Sequence, residues 1–385
     1  MAYNLYLLLA LCIFIGCVPP PEVNREIPEV LEPSVKETGA KKQYMYGCEY
    51  LKNKMYDDAV KCFKHAIADS STFVSAYMNL GLAYRGKNEY DKMEQVYKEM
   101  IVIAPATGHY ALGKLYTDEK RYDQAMIEYK EAVKNDSNYT DAWYGIGYCE
   151  EKLGNIKSAI ENYEHALTVD DKNESVKYSL SKAYISDGEF EKGIRELKNL
   201  RTAHPDDLDV CRTLASTLLD TKNFSEAKLE FEYIAQRLPF DILSRVGLGK
   251  SCEGLKDYEG ADNAYKEAIA IDTTDISLYY YLITLYTGIK KLNDASKYLR
   301  LAKQIAPNNT IIHCLAGDIE AEWGDIEFNN KKFSSAIPKY ELAMKEYNSA
   351  LKGDNKEWAT YSQKAIERTR AKLKKTKEEE WWDRH

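Results

Sequence analysis

One period runs through this chain. The stretches YMNLGLAYRGKNEYDKMEQVYKEMIVIAP (77–105), HYALGKLYTDEKRYDQAMIEYKEAVKND (109–136) and WYGIGYCEEKLGNIKSAIENYEHALTVD (143–170) lie over one another residue for residue. With Gly47, Gly81, Gly113 and Gly147 set at position 8, repeats start at 40, 74, 106, 140, 174, 208, 242, 276 and 310. The step is 34 residues throughout, except for one of 32 after residue 74. Nothing else in the chain constrains its fold as strongly. A unit this short cannot bury its own apolar face, so neighbours must stack and share one core.

Each unit carries two apolar stripes at i, i+3, i+4, i+7, which predicts two amphipathic helices, A and B. Position 8 is short in eight of the nine repeats (Ser181 and Ala215 replace glycine in two of these), and position 20 holds small residues such as Ala59, Ala125, Ala159 and Ala227. Both let the helices approach closely. Aromatics at position 24 (Phe63, Tyr97, Tyr129, Tyr163, Phe231, Tyr265) and position 17 (Tyr56, Tyr90, Tyr122, Phe190, Phe224, Tyr258) are expected to fill the space between units and to be inaccessible. Asp57, Asp91, Asp123, Ser225 and Asn293 at position 18 are expected to cap helix B. Prolines 105, 205, 239 and 307 at position 32 should end it. In the ninth unit the small residue of position 20, Ala336, comes seven residues late, with Tyr340 and Ala343 in step. Seven residues are about two turns, so the insertion should lengthen helix A and keep its face.

These features resemble the tetratricopeptide repeat family, whose W–LG–Y–A–F–A–P pattern has the same period. The resemblance covers 40–352. It implies an all-α, right-handed superhelical solenoid of about nine helix-turn-helix units. Residues 353–385 would supply a C-terminal capping helix, with Trp358, Tyr361 and Ile366 against the stack, and a charged tail ending in Trp381-Trp382. That tail reads either as a solvated helix end or as a contact for a partner or a membrane surface. In the family, helix A lines the concave face, with positions 2, 5, 9, 12 and 13 pointing into the groove. The Lys/Asn/Arg clamp that co-chaperone members use for a terminal carboxylate is missing here. Position 5 brings Tyr110, Tyr144 and Tyr178 in succession, and position 9 brings Lys114, Tyr148 and Lys182. The expected site is therefore an aromatic strip flanked by lysines, suited to an acidic or carboxylate-bearing peptide or protein. The rival reading is that tyrosine, 31 residues in all, is simply frequent everywhere.

Composition narrows the function classes. A formal net charge of −8 argues against nucleic acid, which needs clustered Lys and Arg. Eight cysteines form no CxxC pair and read mainly as small buried hydrophobes, with a disulfide as the alternative. There is no GxSxG, HExxH or Walker loop, and the six histidines are scattered. No enzyme, metal or cofactor is expected.

The N-terminus carries a separate signal. Leu5–Ile15 is apolar and uncharged, too short to span a bilayer, and of the length of a secretory h-region. Phe14-Ile15-Gly16-Cys17 resembles the lipobox of bacterial lipoproteins, though Phe14 replaces the usual Leu and no Lys or Arg precedes it. The resemblance implies a signal peptide over 1–16, acylation of Cys17 and a Pro-rich tether over 17–39. An uncleaved signal anchor and a buried helix are the other readings. Val18, where some bacteria use Asp for inner-membrane retention, favours the outer membrane. Together these features lead to the expectation of a lipid-anchored, non-enzymatic scaffold of a bacterial cell envelope. The alternative is a regulatory adaptor that docks and controls an envelope enzyme or a secretion or pilus assembly machine.

Overall fold

The computed structural model describes residues 39–353 and 355–384. The signal peptide, Cys17 and nearly all of the tether lie outside them. Among the described residues there are nineteen α-helices and no strand. They form two compact units, divided after Gly154.

The first unit holds α1 (Gly39–Lys52), α2 (Tyr56–Asp69), α3 (Val74–Gly86), α4 (Tyr90–Ile101), α5 (Pro105–Asp118), α6 (Tyr122–Asn135) and α7 (Thr140–Lys152). The second holds α8 (Ile156–Val169), α9 (Glu174–Ser186), α10 (Phe190–Ala203), α11 (Leu208–Asp220), α12 (Phe224–Arg237), α13 (Ile242–Gly254), α14 (Tyr258–Ile271), α15 (Ile276–Gly288), α16 (Leu292–Ile305), α17 (Thr310–Asn329), α18 (Phe333–Ala350) and α19 (Lys356–Arg384). Odd helices up to α17 are A helices and even ones are B helices. Within each unit every helix packs on its successor, and consecutive A helices also touch, as α1 does α3 and α11 does α13.

The packing rule is visible at position 8. A Cβ built on Gly113 would lie 2.7 Å from the Tyr129 ring, and one built on Gly145 of the following A helix would lie 2.6 Å from the ring's other side. Tyr129 is thus clasped between two glycines, 4% exposed. Phe63, Tyr97, Tyr163, Phe231 and Tyr265 at the same position are equally buried. Position 17 differs from expectation. Tyr90, Phe190 and Tyr258 remain 39%, 40% and 43% exposed. They open helix B, where Tyr56 and Phe224 lie against Gly86 and Gly254 at the end of the next A helix.

The caps are also placed differently. Helix B starts at position 17, so the position-18 residues Asp57, Asp91 and Asp123 sit in its first turn. There they face the positive end of the helix dipole and cap nothing. Side-chain caps occur instead in the second unit, on the B helix α14, where Asp257 accepts from Gly260 N–H, and on the A helices. Asn173, Asp207, Asp241, Asp275 and Asn309 each accept a backbone N–H of the first turn.

Helix A always ends the same way. Position 15 is left-handed in all nine repeats: Lys54, Asn88, Lys120, Gly154, Gly188, Lys222, Lys256, Lys290 and Lys331. The following N–H returns to a carbonyl five residues back, as Asn223 N does to Leu218 O at 2.8 Å, the Schellman arrangement. A lysine pays a steric cost in this conformation that glycine avoids. Lys222→Gly, at φ 62°, should therefore raise stability by about 1 kcal/mol. A urea midpoint that moves up with an unchanged slope would show it.

In the ninth repeat both helices lengthen, to 20 and 18 residues. The added turns bring a second glycine–tyrosine contact. Gly324 now meets Tyr340, and Gly317 at position 8 meets Tyr347 instead. Helix α19 packs against both α17 and α18. Ile366 is buried, Trp358 sets its edge on Tyr280 with centroids 5.9 Å apart, and Cys314 Sγ lies 3.1 Å from Ser362 Oγ. Tyr44 and Cys48 of α1 make the same kind of contact with Asn79 of α3. So α19 occupies the place that a further A helix would take. The six described cysteines are all free, and Cys149, Cys211, Cys252 and Cys314 are buried.

Candidate functional site

In the first unit the A helices α5 and α7 lie side by side. Tyr110 on α5 is wedged inward. Its ring sits 5.0 Å from Tyr139 and 5.9 Å from Tyr129, and burial pushes its phenol well above the ordinary value. One turn on, Lys114 is exposed. On α7, Tyr144 and Tyr148 are half-buried with ring centroids 6.5 Å apart. Tyr148 sets its edge on Tyr122, and the Lys152 ammonium lies 4.9 Å from its centroid. Burial pushes the Tyr148 phenol up to about 12. A cation over an aromatic face is attracted by the ring quadrupole, so Lys152, itself 3.4 Å from Glu151 Oε1, adds a positive charge that the row of tyrosines did not announce.

In the second unit Tyr178 on α9 shares a 2.8 Å hydrogen bond with Thr213 of α11, which fixes its hydroxyl. Exposed Lys182 lies over its ring at 5.6 Å. Tyr110 and Tyr178 are thus packed against neighbouring elements, whereas Lys114 and Lys182 at position 9 are exposed.

Two further clusters on A helices of the second unit were not singled out in the sequence. Lys250 on α13 sits 4.6 Å over Tyr281, which stacks on Tyr265 at 5.6 Å. Burial raises both Asp220 and Glu253, while Lys250 pulls each back down. The second cluster centres on Asp318 of α17. Its Oδ1 accepts from Tyr347 at 2.7 Å and Tyr361 at 2.6 Å. Burial of the carboxyl outweighs these two bonds and raises its pKa. Only position in the repeat pointed to Lys250 and Asp318, both at position 9. The tyrosine donors come from α18 and α19, which no local pattern pairs with them.

The Asp318 shift has a signed consequence. A carboxyl whose folded pKa is raised binds its proton more tightly when folded, so its stabilising contribution is present at low pH and is lost as pH rises through the folded value. Asp318→Asn keeps an acceptor for both phenols and removes the charge. The variant should match the parent in acid and gain relative to it as pH approaches neutrality, which urea titrations at a series of pH values would read.

Among the described residues, no group of three or more His, Cys, Asp or Glu is placed to hold a metal, and no helix is long and apolar enough to cross a membrane.

Stacked helix-turn-helix units, with side chains displayed from one row of helices, define a class of repeat protein. Models of the tetratricopeptide repeat match residues 44–109, 106–139, 140–173 and 244–275. The chain carries tetratricopeptide repeats. It is 27% identical over 157 residues to anaphase-promoting complex subunit 3 of Schizosaccharomyces pombe, covering 40% of this chain and 24% of that protein. It is 23% identical over 295 residues to TPR repeat-containing protein MJ1428 of Methanocaldococcus jannaschii, covering 75% and 48%. The chain spans less than half the length of either relative. Among solved structures, a tetratricopeptide repeat protein of Parabacteroides merdae is similar with a TM-score of 0.46 at 17% identity, over 71% of this chain and 99% of that one. The pilF protein of Pseudomonas aeruginosa is similar with a TM-score of 0.41 at 19% identity, over 54% and 94%.

Proposed function

We propose that this protein is a non-enzymatic scaffold that holds a protein or peptide partner against its A helices. The observation that carries the reading is the α5–α7 face. Lys114 is exposed on α5, and on the adjoining α7 Tyr144 and Tyr148 are half-buried, with Lys152 over the Tyr148 ring. Packed tyrosines give rigid contact area at low entropic cost, and the two ammoniums favour an acidic or carboxylate-bearing ligand. Tyr178 with Lys182 in the second unit repeats the same chemistry. A photo-crosslinking residue at Lys114 should yield one defined partner adduct in cells. The same residue at Lys134, exposed on helix B, should yield none. Adducts at position 134 alone would place the binding face elsewhere.

Anchoring is a second part of the proposal. The apolar run before Gly16-Cys17 and the prolines after it support acylation of Cys17 and attachment to a bacterial envelope membrane, the outer one by the identity of Val18. Cys17→Ser should leave the chain soluble or unprocessed. Membrane fractionation of that variant at its mature size would contradict the anchor.

A further inference from the structure

The members of the half-buried His313–Glu346–Lys303 group satisfy one another, and nothing shows what covers exposed Phe240 and Leu243 at the start of α13. One surface carries more. Helix α19 buries Ser362, Ala365, Ile366, Thr369 and Thr376 on one side. The other side is built differently. Over residues 364–377 the helix holds seven Lys or Arg and one acid, Glu367, a net +6 in a chain whose net charge is −8, and Glu378–Glu380 follow. Arg370, Lys374, Lys377 and Trp381 recur at i, i+4, i+7 and i+11, and with Leu373, Glu378 and Trp382 they line an open depression. Trp381 and Trp382 are 52% and 69% exposed, their rings edge to face with centroids 4.6 Å apart. Arg370 makes no ion pair among the described residues, whereas Lys374 lies 3.9 Å from Glu378 on its own helix, and Lys372 and Lys377 are tied to Asp325 and Glu341 of the stack.

We propose that this outer stripe of α19 is a docking surface for an anionic lipid membrane. The inference does not depend on Cys17 or on the partner-binding face. Charge complementarity identifies the occupant. The cationic stretch from Arg370 to Lys377, about 10 Å at 1.5 Å per residue, matches a surface of phosphate-bearing head groups. Past Glu378–Glu380 the helix ends in two adjacent indoles, the side chains that settle at the boundary between head groups and acyl chains. The stripe lies along one outward helix face, a shape that suits a plane better than the cleft or pocket by which a folded partner would be gripped. The indoles enter the interface, Arg370 and Lys374 neutralise lipid charge beside them, and the buried side of α19 stays on α17 and α18. Binding of this kind is reversible and weakens with salt, because the charges act through a screened field.

The test uses the full-length chain carrying Cys17→Ser, so that no acyl group contributes, with phosphatidylglycerol-containing vesicles and pure phosphatidylcholine vesicles. The parent should cosediment with the anionic vesicles and lose that binding at high salt. Trp381→Ala with Trp382→Ala, and separately Arg370→Glu with Lys374→Glu, should each weaken it by about tenfold or more while circular dichroism and melting stay unchanged. Equal binding to both vesicle types, or full binding by either variant, overturns the proposal. So does a concentration-dependent dimer that the tryptophan variant abolishes, which would make the stripe a self-association face. An acidic protein bound through Arg370 and Lys374 while vesicles are ignored would overturn it as well. Loss of crosslinks at Lys114 would leave this result untouched, so the two proposals fail separately.

Discussion

Gly113→Leu should lower the stability of the repeat stack by about 3 kcal/mol, the upper part of the usual range for overpacking. Replacing a mid-helix glycine normally helps, since glycine costs about 1 kcal/mol relative to alanine. Here packing reverses the sign. The first added carbon already falls 2.7 Å from the Tyr129 ring, and the ring cannot retreat because Gly145 closes its other side. Even Gly113→Ala should destabilise. Unfolding of stacked repeats is coupled between neighbours, so urea denaturation followed by circular dichroism should show the midpoint falling for both variants. A midpoint that rises for Gly113→Ala would mean that the α5–α6 contact is looser than the structure shows.

Tyr347→Ala should cost about 3–5 kcal/mol, as removal of a fully buried aromatic does. Tyr347 is 2% exposed, fills the space left by Gly317, and donates to Asp318. Tyr347→Phe separates the two contributions. It keeps the ring and removes one of the two donors to a desolvated carboxylate, a loss of about 1.5–3 kcal/mol for a hydrogen bond to a charged group. The damage should be local. Hydrogen exchange should quicken first in α17, α18 and α19, the terminal elements that share this contact, while α1 to α7 keep their protection. Equal stability of the phenylalanine variant and the parent would show that Tyr361 alone satisfies Asp318.

How much of this was readable in advance differs from residue to residue. The small residues of position 8 and the aromatics of position 24 were readable because each recurs at one period, but that they meet one another is shown only by the packing. The left-handed turn at position 15 was not readable. Lysine occupies it six times, and lysine gives no local sign of a positive φ. The caps were misassigned by a residue or two because Asp and Asn are common both as caps and in first turns. Asn173, Asp207 and Asp241 could be told apart from Asp57 or Asp91 only once the helix starts were known. The tyrosines divide in the same way. Tyr110 and Tyr144 share a repeat position and a residue type, yet Tyr110 is wedged between Tyr129 and Tyr139 while Tyr144 lies beside Tyr148.

By itself the sequence determined the all-helical class, the period, the small-residue positions and the placement of a cationic, tryptophan-tipped helix at the end of the chain. These follow from periodicity, which is local and needs no knowledge of neighbours. Only the tertiary structure decided which side chains face solvent, that Gly317 meets Tyr347 while Gly324 takes Tyr340, and that Asp318 is desolvated between phenols from α18 and α19. Tyr361 lies 43 residues from Asp318 along the chain. Contacts of that range are set by how helices stack. Burial and the pKa shifts it causes depend on every neighbour at once, which no repeating pattern along a single strand of residues encodes.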